Sequence, residues 1–403
     1  MAYCRIVRFL NSAKRIYLPA RGIATALSLA FALLYSRELG VINRGYVAAI
    51  MSFTVLALIL FTSGTTLTLR NLGSKGKLLE NFPAFLSLIL IEGLLGLITF
   101  FIGIQVFSNF KDQLPIALIM VSLIYFVASG MHLVSMEVLV ALNFFKHASK
   151  LEILSIILQI SFFLLSEFLT PFTIATRLLL SFSLASLIIT LLTLKIFHKV
   201  VAGVAVFGNP RVFLKKTKGN HSIGTVLGIV DKFDRLIITW FLPVTLLAKY
   251  SVMSSFISFF RFVPDTLSKI IVSQKIEHAK KLLGKLNLVI YLLLPILLLM
   301  IFLSRIAISK LLGDEWLLPW GVSILFAAQE LLRGGFQVSG IFKISVGESV
   351  ITHRLSLALG IFAVPLSIIS TLVLGIYGVP LGFIVTYLTL LIILILRKET
   401  SIV

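Results

Sequence analysis

The stretch Ile229-Val230-Asp231-Lys232-Phe233-Asp234-Arg235-Leu236-Ile237-Ile238 sets four charged residues inside a run, residues 222–247, that is otherwise long and apolar enough to cross a membrane. A charge within a membrane span costs about 2.5–3.5 kcal/mol on insertion scales. It has to pair, line a watery cavity or serve the chemistry. Asp231, Asp234 and Arg235 stand at i, i+3 and i+4 and share one helix face, with Lys232 turned away from it. The fold depends on whether this run is a membrane helix with a polar face, and the rest of the chain decides that.

Of the 403 residues, 59% are hydrophobic and 13% charged. The mean hydropathy is +1.08. A soluble domain carries about 25% charged residues, so half that amount indicates an integral membrane protein. The apolar runs are each of helix-spanning length, about 20 residues, rather than the short alternating segments of a barrel. The expected fold class is therefore an all-α integral membrane protein. About twelve transmembrane helices are expected, near 16–35, 46–69, 82–107, 114–141, 151–169, 173–194, 222–247, 248–271, 286–304, 315–342, 355–374 and 377–396.

The formal net charge of +20 raises the question of nucleic acid, but the basic residues lie in short loops between apolar runs. That distribution is the positive-inside bias of membrane proteins, and no nucleic-acid partner is expected. One set of alternate loops holds Arg5, Arg8, Lys14, Arg15, Arg70, Lys75 and Lys77 among many others; the opposite set holds only Arg37, Arg44, Lys111, Arg177, Lys249, Arg305 and Lys310. Both termini are thereby placed in the cytoplasm, and an even number of spans is required. The first run leads into Ser36-Arg37-Glu38-Leu39-Gly40 without a small-residue cleavage site, so it reads as a span rather than a cleavable leader. Cys4 is the single cysteine, which excludes an internal disulfide and a cysteine metal cluster.

Residues 198–221 form the longest non-apolar stretch and include Asn209-Pro210-Arg211, Lys215-Lys216 and Lys218. They divide the chain into an N-terminal six-helix half (1–197), a basic cytoplasmic linker (198–221) and a C-terminal six-helix half (222–403). A weak internal echo accompanies the division: in each half a span ends, a short external turn follows, and a tyrosine (Tyr46, Tyr250) opens the next span. Internal repeats of this kind are typical of transporters.

Four stretches resemble the polysaccharide and oligosaccharide-lipid branch of the multidrug/oligosaccharidyl-lipid/polysaccharide exporter superfamily, most of all the O-antigen repeat-unit flippases. They are Ser36-Arg37-Glu38-Leu39-Gly40-Val41-Ile42-Asn43-Arg44-Gly45-Tyr46, the run from Asp231 and Asp234-Arg235-Leu236-Ile237-Ile238 to Tyr250, Leu311-Leu312-Gly313-Asp314-Glu315-Trp316, and Tyr377-Gly378-Val379-Pro380-Leu381-Gly382. The second turn departs from the first, with Pro243 and Lys249 where the first has Gly40 and Gly45. The eighth span closes on Ile271-Val272-Ser273-Gln274 where the family often has a proline. The resemblance implies two six-helix lobes facing each other across a central cavity. It implies a flippase that moves an undecaprenyl-diphosphate-linked oligosaccharide from the cytoplasmic to the periplasmic leaflet by alternating access, driven by an ion gradient. The implied location is a bacterial inner membrane, and the implied partners are the lipid-linked glycan, membrane lipids and other polysaccharide-assembly membrane proteins. No cofactor is expected.

The charges inside expected spans are Arg21, Glu92, Glu137, the Asp231–Arg235 cluster, Arg261, Asp265, Glu330 and Arg333. Arg261 and Asp265 are i, i+4, and Glu330 and Arg333 are i, i+3, so each pair can close within its own helix and hold structure without touching a substrate. A diphosphate calls for arginine, which is always charged and binds phosphate in a bidentate fork. Arg235, Arg21, Arg261 and Arg333 are the substrate-binding candidates, with Asp231 and Asp234 beside Arg235 as residues that hold it. Arg21 stands only a few residues into its span beside Pro19 and Gly22, and its plainer reading is snorkelling at a helix start. Glu92 and Glu137 lack a partner in their own helices and are the ion-coupling candidates; the plainer reading is a neutral acid bonded to a neighbouring helix.

No Gly-rich phosphate loop, His/Cys metal cluster or nucleophile–base pair is evident, so an enzyme is not expected. Two alternatives stand beside the flippase. A drug or cation antiporter of the same superfamily would want an acidic, aromatic cavity, against which the basic surplus argues. A polysaccharide polymerase or ligase would want a large external loop, and every expected external loop here is short.

Overall fold

The computed structural model describes residues 2–74, 76–106, 115–168, 172–201, 208–257, 297–345 and 349–400. Those residues are helical almost throughout, in the order α1 (Ala2–Ser74), α2 (Leu78–Val106), α3 (Ile116–Ala141), α4 (Phe145–Leu165), α5 (Ile174–Val201), α6 (Pro210–Phe241), α7 (Val244–Ile257), α8 (297–312), α9 (Trp320–Ser345), α10 (Ser349–Leu374) and α11 (Gly378–Thr400). Six stretches among the described residues are long and apolar enough to cross a membrane: Pro19–Leu60, Leu78–Gly103, Ile116–Ala141, Phe145–Phe168, Ile174–Phe197 and Arg354–Ile393. The chain is a multi-pass membrane protein.

Two of the six stretches contain a break. α1 is interrupted at Gly40, whose φ of 69° and ψ of 171° lie outside the helical range. Only glycine takes that conformation without strain, so the expected external turn narrows to one residue. Between α10 and α11 the chain turns through a 3-10 segment at Gly375–Tyr377. The expected linker differs too. α5 extends to Val201 and α6 begins at Pro210, so the stretch is helical from residue 210. The cause is a capping signal: Asn209 Oδ1 accepts the Arg211 N–H at 3.0 Å, and proline in the first turn needs no N–H partner. α6 ends where Pro243 interrupts the backbone ladder before α7.

The chain forms two compact units, residues 1–39 with 53–221, and residues 40–52 with 222–403. In unit 1, α5 packs against both α3 and α4. In lipid, helices gain little from burying apolar area against each other, so close fit between small residues has to hold them. The packed faces follow that rule: Ser122 and Ala128 on α3, and Ser183, Ala185 and Ser186 on α5, are buried. The hydroxyls of Ser122 and Ser183 donate to carbonyls four residues back and are satisfied within their own helices. One end of unit 1 is an aromatic group of Phe31, Tyr35, Phe163, Phe182 and Tyr125. Elsewhere in the unit Phe85 stacks near Phe213 and Phe82 against Phe197, and the Gly208 N–H donates to Ser87 Oγ, so the start of α6 is fastened onto α2.

In unit 2, α10 and α11 pack as a hairpin, and α9 lies against both. The 40–52 segment joins this unit beside the start of α7. A Cβ on Gly45 would sit 2.4 Å from the Val244 carbonyl oxygen, so only glycine permits that approach. The outer faces of both units carry large exposed apolar residues, such as Leu90, Leu94, Ile98 and Phe101 on α2 and Ile361, Ile369 and Leu372 on α10. A lipid-facing surface requires them.

Candidate functional site

The charged side chains inside the helices pair mainly across elements. In unit 1, Arg21 does not simply snorkel from a helix start. Its Nε lies 3.2 Å from Glu152 Oε1 on α4, tying α1 to that helix. Glu137 is not a lone acid either. Arg70, near the end of α1, donates from Nε to Glu137 Oε2 at 2.6 Å, and its Nη2 lies 2.5 Å from the same oxygen. The carboxylate is thereby neutralised by a neighbouring helix. Beside this pair, Leu69, Leu139 and Phe145 are fully enclosed, so it stands at the edge of an apolar cluster.

Glu92 is different. It is buried on α2, and the Thr65 hydroxyl of α1 donates to its Oε1 at 2.6 Å. Its Oε2 is buried with no hydrogen-bond partner among the described residues. Among the described residues no basic side chain is paired with it.

Unit 2 holds the stretch with which the sequence reading began. Asp234 is buried, and its Oδ2 accepts the phenolic O–H of Tyr250 on α7 at 2.8 Å. Its Oδ1 accepts the backbone N–H of Arg235 at 2.8 Å. Arg235 reaches across to the same helix, and its Nη2 donates to Ser254 Oγ at 2.6 Å. Tyr250 and Ser254 are one turn apart, so α7 offers α6 a matched pair of polar groups. Of the two acids expected to hold the guanidinium, Asp234 holds Tyr250 instead, and Arg235 donates to a neutral serine. Among the described residues Arg235 has no carboxylate partner. The Asp231 side chain, and Arg261 and Asp265 altogether, lie outside the described residues.

On α9, Arg333 Nη1 lies 3.2 Å from Glu330 Oε2, the i, i+3 pair that the spacing indicates. Phe326, on the same face one turn earlier, stacks 4.6 Å from the Tyr250 ring, which joins α9 to α7. Arg305 of α8 lies over the Trp320 ring at 4.1 Å and donates to the Leu318 carbonyl.

The sequence reading missed Glu152, Arg70, Thr65, Tyr250 and Ser254 as partners. It also missed Arg44, placed in an external turn but buried in unit 2 at 3% exposure. Among the described residues no three His, Cys, Asp or Glu side chains gather as a metal site.

With this architecture in view, the comparisons with known proteins become informative. No family model and no curated relative matches the sequence. Solved structures do. An outward-facing multidrug resistance MATE family transporter of the MOP superfamily superposes with a TM-score of 0.71, at 14% identity, over 98% of this chain and 95% of that one.

The chain has the MATE fold.

A MATE in complex with MaL6 gives a TM-score of 0.69 at 14% identity, over 98% and 96% of the two chains. A MATE bound to Br-NRF gives 0.60 at 17%, over 98% and 96%. Near-complete coverage in both directions means that the MATE architecture accounts for the whole chain. At these identities the likeness speaks for the fold, and the side chains described above have to speak for the chemistry.

Proposed function

We propose that the chain is a membrane transporter, with about twelve spans in two six-helix halves, that moves its cargo by alternating access. The MATE fold over nearly the full length supports this.

Two readings of the cargo rest on different observations. One solved neighbour is a multidrug resistance MATE family transporter, which favours the drug or cation antiporter over the flippase. The side chains point the other way. A cationic drug would need acidic groups free to meet it; among the described residues Glu137, Glu152 and Glu330 face arginines and Asp234 is bound to Tyr250, which leaves Glu92, a buried acid without a basic partner. Arg235 carries the anionic reading: a half-buried guanidinium within a span, resting on a serine, calls for a negative partner. The undecaprenyl-diphosphate-linked oligosaccharide supplies one, and a bacterial inner membrane supplies the setting. Association with other polysaccharide-assembly membrane proteins belongs to the same reading.

Deleting the gene separates the two. The flippase reading expects lipid-linked repeat units trapped in the cytoplasmic leaflet, with no change in resistance to cationic dyes. Normal delivery of units together with dye sensitivity would establish the antiporter instead.

A further inference from the structure

We propose that Glu92 is a reversible proton-binding site in unit 1, held in place by Thr65, and that it is the acid through which a proton gradient drives transport. The inference rests on the transporter reading for its second half only. The first half stands on geometry.

Three observations single out Glu92 among the acids of unit 1. It is a carboxyl in the middle of the apolar stretch Leu78–Gly103, which is long enough to cross the membrane, and it is 5% exposed. One oxygen is fixed by the Thr65 hydroxyl at 2.6 Å, and the other is enclosed with no hydrogen-bond partner among the described residues. No arginine or lysine is paired with it there, whereas Glu137 and Glu152 both have arginines.

A carboxylate in such a place bears an uncompensated charge, and a proton on the free oxygen removes it. A metal ion is a poor alternative. A hard cation gathers several oxygens at once, and among the described residues only the Thr65 hydroxyl is bonded to the carboxyl. Thr65 can also serve both states. Its hydroxyl donates to Oε1 of the ionised acid, and it still donates to the same oxygen, then a carbonyl, when Oε2 carries the proton.

The neighbours leave this site distinct. On residues 53–74 of α1 the charged residue is Arg70, which is bound to Glu137. α3, which packs on α2, carries Tyr125, His132 and Glu137. α5 with Lys195 and the start of α6 with Arg211 and Lys215 meet α2 around Phe82, Pro83, Ala84 and Phe85, about two to three turns away along the helix. Besides Glu92, α2 carries only Glu80, which lies in its first turn.

The test is infrared difference spectroscopy on the full-length protein in lipid vesicles, titrated with acid and base in the absence of any cargo. A pH-dependent carboxylic C=O band is expected. Glu92→Gln should remove it, Glu137→Gln should keep it, and Thr65→Val should shift it. Glu92→Asp guards against a folding defect, because it should keep a displaced band in a protein that elutes like the parent. A band unchanged in Glu92→Gln, or no titrating band at all, overturns the proton site. If the band behaves as expected but Glu92→Gln still concentrates cargo in response to a proton gradient, the coupling role is overturned and the proton site stands. These spectra do not depend on the cargo, so failure of the transport reading itself would leave them intact.

Discussion

Tyr250 on α7 donates its phenolic hydrogen to Oδ2 of Asp234 on α6 at 2.8 Å, and the same tyrosine ring stacks 4.6 Å from Phe326 on α9. Three helices of unit 2 meet at that side chain. Tyr250→Phe keeps the ring and removes the donor, which leaves a buried carboxylate oxygen without this partner. Such a loss costs roughly 1–3 kcal/mol. The purified variant should melt at a lower temperature than the parent. Adding Asp234→Asn to Tyr250→Phe should cost less than the sum of the two single changes, as expected for groups in direct contact.

Arg70 and Glu137 join α1 to α3, with side-chain exposures of 21% and 8%. Because the arginine is partly exposed, solvent screens the pair, and its rupture should cost about 1–3 kcal/mol, less than for a fully enclosed pair. Arg70→Ala should lower thermal stability, and Glu137→Gln should recover part of the loss in the Arg70→Ala background by removing the stranded charge. Transport in Glu137→Gln, normalised to folded protein, should remain.

Gly45 faces the Val244 backbone so closely that a Cβ would lie 2.4 Å from its carbonyl oxygen. A main-chain atom cannot swing aside as a side-chain tip can. Gly45→Ala should destabilise unit 2 by roughly 1–3 kcal/mol, the range for overpacking. The measurement is the amount of monodisperse protein recovered in detergent and its melting temperature. Gly93→Ala, where a Cβ would meet nothing within 4 Å, is the control and should be near neutral.

How far the sequence could be read is clear from these sites. Helix length and hydropathy made the all-helical membrane architecture legible. An external turn between residues 36 and 46 was legible, though not its narrowing to Gly40, and so was the i, i+3 spacing of Glu330 and Arg333 as a pair, because both are properties of one stretch of chain. Asn209-Pro210 carried a helix-start signal, but it was masked by the polar, basic residues around it and read as a linker. The cross-helix partners were not legible. Glu152 for Arg21, Arg70 for Glu137, Thr65 for Glu92, and Tyr250 and Ser254 for the Asp234-Arg235 pair all depend on which helices lie side by side. Periodicity within a helix says which residues share a face, and it is silent about what that face meets.

Arg235 is where the anionic-cargo reading meets a single side chain. Among the described residues the guanidinium donates to Ser254, a neutral group. Arg235→Lys keeps the charge and loses the planar fork; Arg235→Ala loses both. Both variants should fold, judged by elution profile and melting temperature. Arg235→Ala should lose at least tenfold in transport, with Arg235→Lys between it and the parent.

The most direct measurement follows a fluorescent undecaprenyl-diphosphate-linked oligosaccharide between the leaflets of vesicles that hold the purified protein, with a membrane-impermeant quencher as the reader. Exchange well above that of protein-free vesicles, abolished by Arg235→Ala and partly kept by Arg235→Lys, is the result predicted. Exchange no faster than in protein-free vesicles, from protein shown to be folded and correctly inserted with a proton gradient imposed, would contradict it.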